Sequence, residues 1–323
     1  MEDLEGLRIL VTGGGGFVGA NLALAFSLEG CQVTATVRPA TSEAGNWRTR
    51  LLPSTINCVE LDITDRPRVR DWLSRNPQDV VVHTAAHGAY SWQTDDDRIF
   101  GVNVAGTMSI IESAFGSGAS CVIYTGSSSE YGLKNSPMQE DMVLVPRTNY
   151  GVSKAAGTLF AQSYGLRTGR CVFGFRLFSP YGPFEEPRRL IPTIVLSYLK
   201  GKPIMLSSPN SVRDFVFIDD VAKAFISAVA HRGVIPPGDI MNLGSGRMTT
   251  VFEVVRAFEQ ACGSKLDVRW GEHPSTDVPG TTTWVADITK VKGRLGWTPQ
   301  TGLVDGLRRT LDWFRQQREV FDA

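Results

Sequence analysis

The 323-residue sequence predicts an α/β protein with a doubly wound parallel sheet and a smaller mixed α/β lobe at its C-terminal end. In the first half, short β-branched runs alternate with longer helical patterns, which is typical of repeated βαβ units. After Arg176 this alternation breaks down, and five prolines interrupt the next stretch. The predicted strands of the first half are 7–11, 32–37, 56–61, 80–83, 121–125 and 172–177.

Helical periodicity connects these strands and continues beyond them. The predicted helices are 17–28, 66–74, 99–115, 150–164 and 191–199, with a last helix whose apolar stripe of Val304, Leu307, Leu311 and Phe314 is a packing face. The run 215–221 reads as a strand ending in an Asp N-cap, and 240–243 reads as a strand that returns to the sheet. We therefore assign 1–180 and 213–246 to the dinucleotide-binding type of domain that this pattern favours, and 181–212 and 247–323 to the smaller lobe.

Composition excludes several classes of partner. The 33 Lys and Arg residues balance 33 Asp and Glu residues, so no basic field exists to attract nucleic acid or anionic lipid. No apolar run approaches the roughly 18 residues that span a bilayer, and the acidic start does not resemble a targeting signal. We expect a cytoplasmic protein. The five scattered cysteines, without a Cys-x-x-Cys motif, are expected to be reduced packing residues rather than a metal site or disulfides.

A glycine-rich loop follows the first predicted strand and opens a helix. Gly13 allows a tight turn, Gly16 lets the backbone approach a pyrophosphate, and Gly19 lets the helix pack close to the strand. The free N–H groups at the helix N-terminus then face the anion. The alternative is a glycine-rich turn without a ligand, but the position at the first crossover favours dinucleotide binding.

The end of the second strand favours NADP over NAD. An acidic residue there would accept a hydrogen bond from the ribose 2′-hydroxyl and repel a 2′-phosphate, but the strand ends in Val37 and Arg38. Arg38 is either a partner of the 2′-phosphate or a solvated loop charge. Asp62, after the third strand, is either an acceptor for the adenine amino group or a turn-forming residue.

A tyrosine and a lysine form the candidate chemical centre. Tyr150 and Lys154 are four residues apart on a predicted helix and lie on one face. We expect the ammonium to lower the pKa of the phenol, so that Tyr150 can exchange a proton with an alcohol or ketone. The serine run that begins at Ser127 leaves the fifth strand at the edge where ligands bind in open α/β sheets, and a hydroxyl there can donate to a substrate oxygen.

These motifs, taken in order, resemble the extended short-chain dehydrogenase/reductase family of nucleotide-sugar epimerases, dehydratases and ketoreductases. The resemblance implies a Rossmann-like fold, an NADP(H) or NAD(H) cofactor and a nucleotide-diphosphate sugar as substrate. It rests on the glycine loop, Asp62, 83–86, 103–107, the serine run, Tyr150 with Lys154, 176–183, 213–221 and 286–297.

The resemblance also implies roles for individual residues. Tyr150 is the acid or base, Lys154 binds the nicotinamide ribose, and Ser127 hydrogen-bonds the reacting oxygen. The implied cofactor contacts are Gly13, Gly16, Phe17, Val18, Gly19, Arg38, Asp62, Ile63, Ala85, Ala86, Asn103, Tyr150 and Lys154. The implied substrate contacts are His87, Ser128, Ser129, Ser179 and Arg213. Arg213 is otherwise a surface ion pair with an acidic neighbour.

Departures from the family pattern narrow the expected reaction. Sugar 4,6-dehydratases of the family carry an Asp-Glu pair where this chain has Ser128 and Ser129, so dehydration is not expected. Ser179 replaces the usual asparagine, and the segment 273–277 lacks an arginine that often contacts the nucleotide. The segment 177–183 resembles that of reductases that make deoxysugars, such as the paratose and abequose synthases.

Two reactions and one non-enzymatic class stay open. We expect an NADPH-dependent 4-ketoreductase, because an epimerase that recycles its own hydride normally holds NAD and carries an acid at the second strand. The alternatives are a C4 epimerase and a nucleotide-binding protein without turnover. His87, Tyr90 and Trp92 either face the sugar or close their loop. By resemblance, the helices 99–115 and 150–164 pair in a homodimer.

Overall fold

The computed structural model describes residues 3–38, 47–271 and 283–321. The strands, numbered along the chain, are β1 (Arg8–Thr12), β2 (Gln32–Val37), β3 (Asn57–Glu60), β4 (Val80–His83), β5 (Cys121–Ser127), β6 (Cys171–Leu177), β7 (Ser179–Tyr181), β8 (Ile204–Leu206), β9 (Val212–Arg213), β10 (Phe215–Phe217), β11 (Ile240–Leu243), β12 (Thr249–Thr250) and β13 (Val268–Trp270). The helices are α1 (Phe17–Leu28), α2 (Trp47–Arg50), α3 (Arg66–Arg75), α4 (Asp96–Phe100), α5 (Thr107–Gly116), α6 (Asn149–Thr168), α7 (Leu190–Leu199), α8 (Ile218–Ala230), α9 (Val251–Cys262), α10 (Thr289–Leu295), α11 (Leu303–Gln316) and α12 (Arg318–Phe321). A π-helical segment, Gly101–Gly106, joins α4 to α5, and a 3-10 turn, Ser128–Glu130, follows β5.

Seven parallel strands form the main sheet, in the order β11-β6-β5-β4-β1-β2-β3. The predicted doubly wound α/β fold is therefore confirmed. All six strands predicted in the first half are present, and β5 continues beyond the predicted end to Ser127. The predicted return of the chain is also correct, because β11 pairs with β6 at the edge of this sheet.

The sheet is covered on both faces, which explains its continuous apolar strands. Every residue of β4 and of β5 is buried. Neighbouring residues of one strand pack into different clusters: Ile9 belongs to a core that includes Phe26 of α1 and Phe225 of α8. Leu10 belongs to a core on α3, α5 and α6 that includes Ile111.

A third apolar cluster forms the smaller lobe. It joins α7, α9 and α11 through residues that include Ile194, Phe258, Leu307 and Phe314. Three two-stranded pairs, β7 with β10, β8 with β13 and β9 with β12, complete this side of the protein. The stripe predicted on the last helix is confirmed as a packing face. The exact division at 181–212 and 247–323 stays a prediction.

The run 215–221 differs from its prediction. The strand ends at Phe217, which is the N-cap of α8, and Asp219 and Asp220 lie in the first turn of that helix. The strand pairs with β7 outside the main sheet. The Asp220 carboxylate instead accepts hydrogen bonds from the backbone N–H groups of Gln300 and Thr301 at 3.0 and 2.7 Å, so it holds the segment before α11.

The predicted helix 99–115 is found as one helical run, Asp96–Gly116, that contains the π-helical segment. The expectation that no run reaches membrane-spanning length is wrong, because this run passes that test by length and composition. The core helices of globular domains pass the same test, and 61% of its most apolar window is buried within the fold. Its α5 part packs against α3 and α6.

Candidate active site

Several carboxyl ends of the main-sheet strands open into one cavity of about 1680 Å³. Tyr150, Lys154 and Ser127 line it, together with every other residue predicted to contact cofactor or substrate except Asn103. The structure thus brings together the glycine loop, the serine run and the Tyr-Lys pair. The cavity wall also contains residues that sequence reasoning missed, which include Arg98, Glu185, Arg188, Arg189 and Trp284.

The glycine loop packs so closely against neighbouring backbone that it has no room for a side chain. Gly13 has a φ of +71°, and a Cβ atom there would lie 2.7 Å from the Cα of Ala85. A Cβ atom on Gly19 would lie 2.2 Å from the carbonyl oxygen of Gly13. Helix α1 begins directly after this turn, with Gly16 as N-cap and no side-chain cap. The backbone donors of its first turn are therefore available to a diphosphate, as the motif predicts.

Two arginines and an aspartate lie at the end of β2. Arg38 and Arg98 both line the cavity, and the charge of Asp62 acts on both guanidiniums. Desolvation by the cavity walls, followed by the charge of Arg98, lowers the pKa of Arg38. Arg98 lies on α4, far from Arg38 in sequence, so the motif could not indicate it. The two charges form an electropositive corner in the position predicted for a 2′-phosphate.

Asp62 stabilises a turn, which is the second of the two roles that the sequence left open. Its Oδ1 accepts hydrogen bonds from the backbone N–H and the hydroxyl of Thr64 at 2.9 and 2.8 Å. Burial acts to raise the pKa of Asp62, but these bonds and the charges of Arg38 and Arg98 bring it below its ordinary value. Oδ1 is therefore already hydrogen-bonded within the protein, whereas Oδ2 accepts no hydrogen bond from the described residues.

The predicted role of Asn103 needs correction. Its side chain is fully buried and does not line the cavity. Its amide oxygen accepts from the backbone N–H of His87 at 2.9 Å, and its amide nitrogen donates to the His87 carbonyl and the Ser153 hydroxyl, each at 2.8 Å. Two of these contacts hold the loop after β4 and the third reaches α6, so Asn103 connects the two. Any effect of Asn103 on a cofactor is therefore indirect, through the placement of the loop.

The Ser127 and Tyr150 side chains both line the cavity, and the Ser127 hydroxyl is close enough to Tyr150 to act on its pKa. The Ser127 oxygen also accepts from the backbone N–H of Ser129 at 3.1 Å, which holds the hydroxyl in place. Helix α6 carries Tyr150 in its first turn, and the Thr148 hydroxyl caps that helix by accepting from the N–H of Gly151. The pair can hold a carbonyl oxygen between two hydroxyl donors, as the sequence predicts.

The expected lowering of the Tyr150 pKa is wrong. Burial raises the pKa of Tyr150 to about 12, and the Ser127 hydroxyl only partly opposes this effect. The Lys154 ammonium lies 4.5 Å from the centroid of the Tyr124 ring. Burial lowers the pKa of Lys154 to about 8, against the opposing charge of Glu130. Tyr150 is consequently a protonated phenol at neutral pH and suits the role of proton donor.

An aromatic residue that the motifs did not indicate lies next to the predicted substrate contacts Ser128 and Arg213. Trp284 donates its indole N–H to the Ser128 hydroxyl at 3.2 Å, and the Arg213 guanidinium lies 5.5 Å from its ring centroid. The adjacent Asp214 is buried and accepts from the backbone of Ser245, so it is a structural anchor rather than the surface ion-pair partner considered for Arg213. The segment 273–277 lies outside the described residues.

The loop after β4 is closed by stacked rings. Tyr90 and Trp92 stack with centroids 4.9 Å apart, and the Arg188 guanidinium lies 3.5 Å above the Trp92 ring. Tyr90 and Trp92 also line the cavity, so the stacking closes the loop and both roles considered for these aromatics stay open. His87 stays in the cavity wall, where burial and the charges of Arg98 and Arg38 lower its pKa.

Two buried acidic residues near this wall were not predicted. Glu130 accepts a hydrogen bond from the backbone N–H of Ser127 at 2.8 Å, and its spacing from Ser127 matches a capping box, a signal visible in the sequence. Glu185 is 3% exposed, its Oε2 has no hydrogen-bond partner among the described residues, and burial raises its pKa to about 7. Across 3–38, 47–271 and 283–321, no three His, Cys, Asp or Glu side chains are grouped as metal ligands.

A family model described as NAD dependent epimerase/dehydratase family matches residues 9–244. This range includes the glycine loop and the Ser127, Tyr150 and Lys154 cluster. The chain belongs to the NAD-dependent epimerase/dehydratase family. The family assignment confirms the resemblance drawn from the motifs, and it identifies the chain as an enzyme of a nicotinamide-dinucleotide-dependent family.

Members of this family with different reactions are about equally similar to the chain. A dTDP-glucose 4,6-dehydratase of Streptomyces griseus is 29% identical over 98% of this chain and 96% of its own length. A UDP-glucuronate 4-epimerase of Thermodesulfobacterium geofontis is 26% identical over 97% of this chain and 98% of its own length. The solved structure of UDP-glucuronic acid 4-epimerase from Bacillus cereus, in complex with UDP-glucuronic acid and NAD, is 26% identical. Its TM-score is 0.82, over 96% of this chain and all of that chain.

Proposed function

We propose that this family member reduces a 4-keto nucleotide-diphosphate sugar of the 4-keto-6-deoxyhexose type with NADPH. The observation that carries the proposal is the Ser127 and Tyr150 pair, whose phenol is protonated at neutral pH, in the same cavity as the guanidiniums of Arg38 and Arg98. Bound NADPH would supply the hydride. The residues of this chain then have to bind the cofactor, orient the ketone and deliver a proton.

The residues present fit a dinucleotide. Gly13 and Gly19 leave no room for a side chain, so the tight turn and the close packing of α1 that the motif requires are both present, and the loop borders the cavity where a pyrophosphate would bind. Lys154, the proposed ribose contact, lies one helical turn after Tyr150. The remaining implied cofactor contacts, Ile63 and Ala85 among them, line the same cavity. We infer that these groups hold the cofactor along the sheet edge.

The proton path follows from the hydroxyl pair. Ser127 donates to the ketone oxygen and orients it, and Tyr150 gives its proton to the same oxygen as negative charge develops there. The raised pKa of Tyr150 keeps the proton on the phenol until the alkoxide forms, because an alkoxide is more basic than a phenolate. Lys154 limits the charge that accumulates on Tyr150 after the transfer.

The preference for NADPH rests on the corner made by Arg38 and Arg98. A 2′-phosphate carries negative charge that these guanidiniums can neutralise, whereas a 2′-hydroxyl finds no carboxylate at Val37 to accept its hydrogen bond. The B. cereus structure contains NAD, so the preference would distinguish this chain from that relative. NADP(H) is therefore our first choice, and NAD(H) is the cofactor of the second reaction below.

The second candidate is nucleotide-sugar 4-epimerisation, which the named epimerases among the relatives favour. The same hydroxyl pair would take the proton of the sugar alcohol, and bound NAD would accept the hydride. After rotation of the ketone in the site, the hydride and the proton would both return, with the hydride added to the opposite face. Dehydration is not proposed, although a dehydratase is among the relatives, because Ser128 and Ser129 supply no carboxylate pair for loss of water.

One experiment separates these reactions. We would denature freshly purified protein, identify the nucleotide that is released, and follow NADPH oxidation with CDP-, dTDP-, GDP- and UDP-linked 4-keto-6-deoxy sugars. NADPH consumption with one of them supports the reductase. Stoichiometric NAD in the purified protein, without NADPH consumption, selects the epimerase. Tyr150→Phe should abolish turnover and keep cofactor affinity, and a fully active variant would refute the role of Tyr150.

The proposed assembly is a cytoplasmic homodimer. Along α6, Val152, Leu159 and Leu166 recur every seven residues and are 40%, 55% and 71% exposed. A face of this kind is costly to leave in water. We propose that it pairs with the same face of a second copy, together with the helical run Asp96–Gly116.

A further inference from the structure

Glu130 is a buried acidic residue directly behind the proposed catalytic hydroxyls. It is 0% exposed and ends the 3-10 turn after β5. Its Oε1 accepts from the backbone N–H of Ser127 at 2.8 Å and from the Thr158 hydroxyl at 2.9 Å. Its Oε2 accepts from the Nε of Arg176 at 2.7 Å. All these donors are directed at one carboxylate that the proposed mechanism does not use.

These contacts connect three elements of the site. Ser127 ends β5, Arg176 lies on β6, and Thr158 lies on α6 two helical turns after Tyr150 and one turn after Lys154. The carboxylate therefore links the strand that carries one proposed hydroxyl to the helix that carries the other. The space around it is tight, because a Cβ atom on Gly126 would lie 2.5 Å from Oε1.

The contact with Arg176 indicates that Glu130 is an anion. A guanidinium stays protonated in proteins, and a bond of 2.7 Å with it is of the charge-assisted type. Arg176 also donates to the Tyr131 hydroxyl and the Glu140 carbonyl, so its position is fixed independently. Burial raises the pKa of Glu130 above its ordinary value, and Arg176 is the first of the groups that oppose this effect.

We infer that Glu130 is a positioning residue, which fixes the separation of Ser127 and Tyr150 and supplies the negative charge next to Lys154. The inference rests on the proposed function of these three side chains. Glu130 acts through the Ser127 backbone and through α6, and it need not touch a substrate. Loss of its charge should therefore change both the rate and the pH dependence of the reaction.

The direction of the pH effect follows from the groups around the carboxylate. The titratable or charged groups that face it are Arg176 on β6, Tyr124 and Tyr131 at β5, and Tyr150 and Lys154 on α6, with His83 of β4 next to Lys154. The charge of Glu130 acts to raise the pKa of Lys154 and of Tyr150. Without it both groups lose their protons at lower pH.

The first test is Glu130→Gln, which keeps the shape and removes the charge. We expect kcat to fall about tenfold or more, because small displacements of reacting groups are costly. We expect the alkaline limb of the kcat profile to move to lower pH by about one unit. Glu140→Gln is the matched control, since Glu140 accepts from the Asn242 N–H at 2.7 Å on the same side of the fold and is not bonded to Ser127 or Thr158. A Glu130→Gln profile that coincides with the wild type overturns the inference.

The second test, Thr158→Val, keeps the charge and removes the hydrogen bond to α6. It should lower kcat without moving the pH profile, and Thr158→Ser should restore the rate. If thermal melting shows that Glu130→Gln does not fold, unchanged kcat in Thr158→Val overturns the inference. Full activity of Tyr150→Phe would instead refute the proposed function. An inactive Tyr150→Phe with wild-type behaviour of both variants would refute the role of Glu130 alone.

Discussion

Replacing Arg98 with alanine removes one of the two guanidiniums that form the corner at the end of β2. Both guanidiniums act on the carboxylate of Asp62, so the variant removes one of the two positive charges that this carboxylate faces. A hydrogen bond to a charged group contributes about 1.5–3 kcal/mol, and exposure of the corner places the expected value near the lower limit. Since about 1.4 kcal/mol is a factor of ten, we expect Arg98→Ala to weaken NADPH binding about tenfold. NADH lacks the 2′-phosphate, so its affinity should not change.

The assay is a fluorescence titration of the purified protein with each dinucleotide, at low and at high salt and without a sugar substrate. The NADPH preference of the wild type should shrink as salt screens the corner, and the preference of Arg98→Ala should shrink less. Arg188→Ala is the matched control, because Arg188 also lines the cavity but stacks on Trp92. It should leave the ratio of the two affinities unchanged. Equal loss of NADH and NADPH binding in Arg98→Ala would refute the assignment of this corner to the 2′-phosphate.

Three further predictions test other parts of the site. Gly19→Ala should lower the melting temperature and weaken both dinucleotides more than tenfold, because its Cβ would lie 2.2 Å from a backbone oxygen; Gly116→Ala, with no atom within 4 Å, should do neither. Since burial lowers the pKa of Lys154 to about 8, kcat should fall as Lys154 loses its proton above about pH 8, and a profile that is flat to pH 10 would contradict this role. Leu159→Glu should give a monomer in light scattering, whereas Leu28→Glu, 86% exposed on α1, should leave the assembly intact, and a Leu159→Glu dimer would exclude this face.

The sequence predicts the fold well where local pattern and burial agree. A strand buried on both faces needs a continuous apolar run, so β4 and β5 are visible without any knowledge of their neighbours. The boundary at Phe217 was missed for the opposite reason. Aspartates normally precede a helix as caps, but the Asp220 carboxylate is used by Gln300 and Thr301, and this tertiary contact draws it into the first turn.

The same contrast decides which parts of the site can be predicted. Parallel strands place their carboxyl ends at one edge, so a motif directly after a strand is brought to the cavity by topology alone, as Ser127 and Gly13 show. The pKa of Tyr150 cannot be predicted in this way. The direction of its shift depends on how far the folded cavity buries the phenol away from water, and the helical spacing from Lys154 carries no information about that burial.

The roles of Arg98 and Glu130 depend on tertiary contacts that the sequence pattern does not show. Arg98 belongs to a helix whose position depends on the packing of the loop after β4, so no local signal could pair it with Arg38. Glu130 has a local signal, the capping-box spacing from Ser127, but that signal alone indicates only a turn. Its effect on Lys154 and Tyr150 arises because Arg176 and Thr158 hold the charge of the carboxylate inside the core. The chemistry of the hydroxyl pair therefore depends on a residue whose sequence context describes only a helix cap.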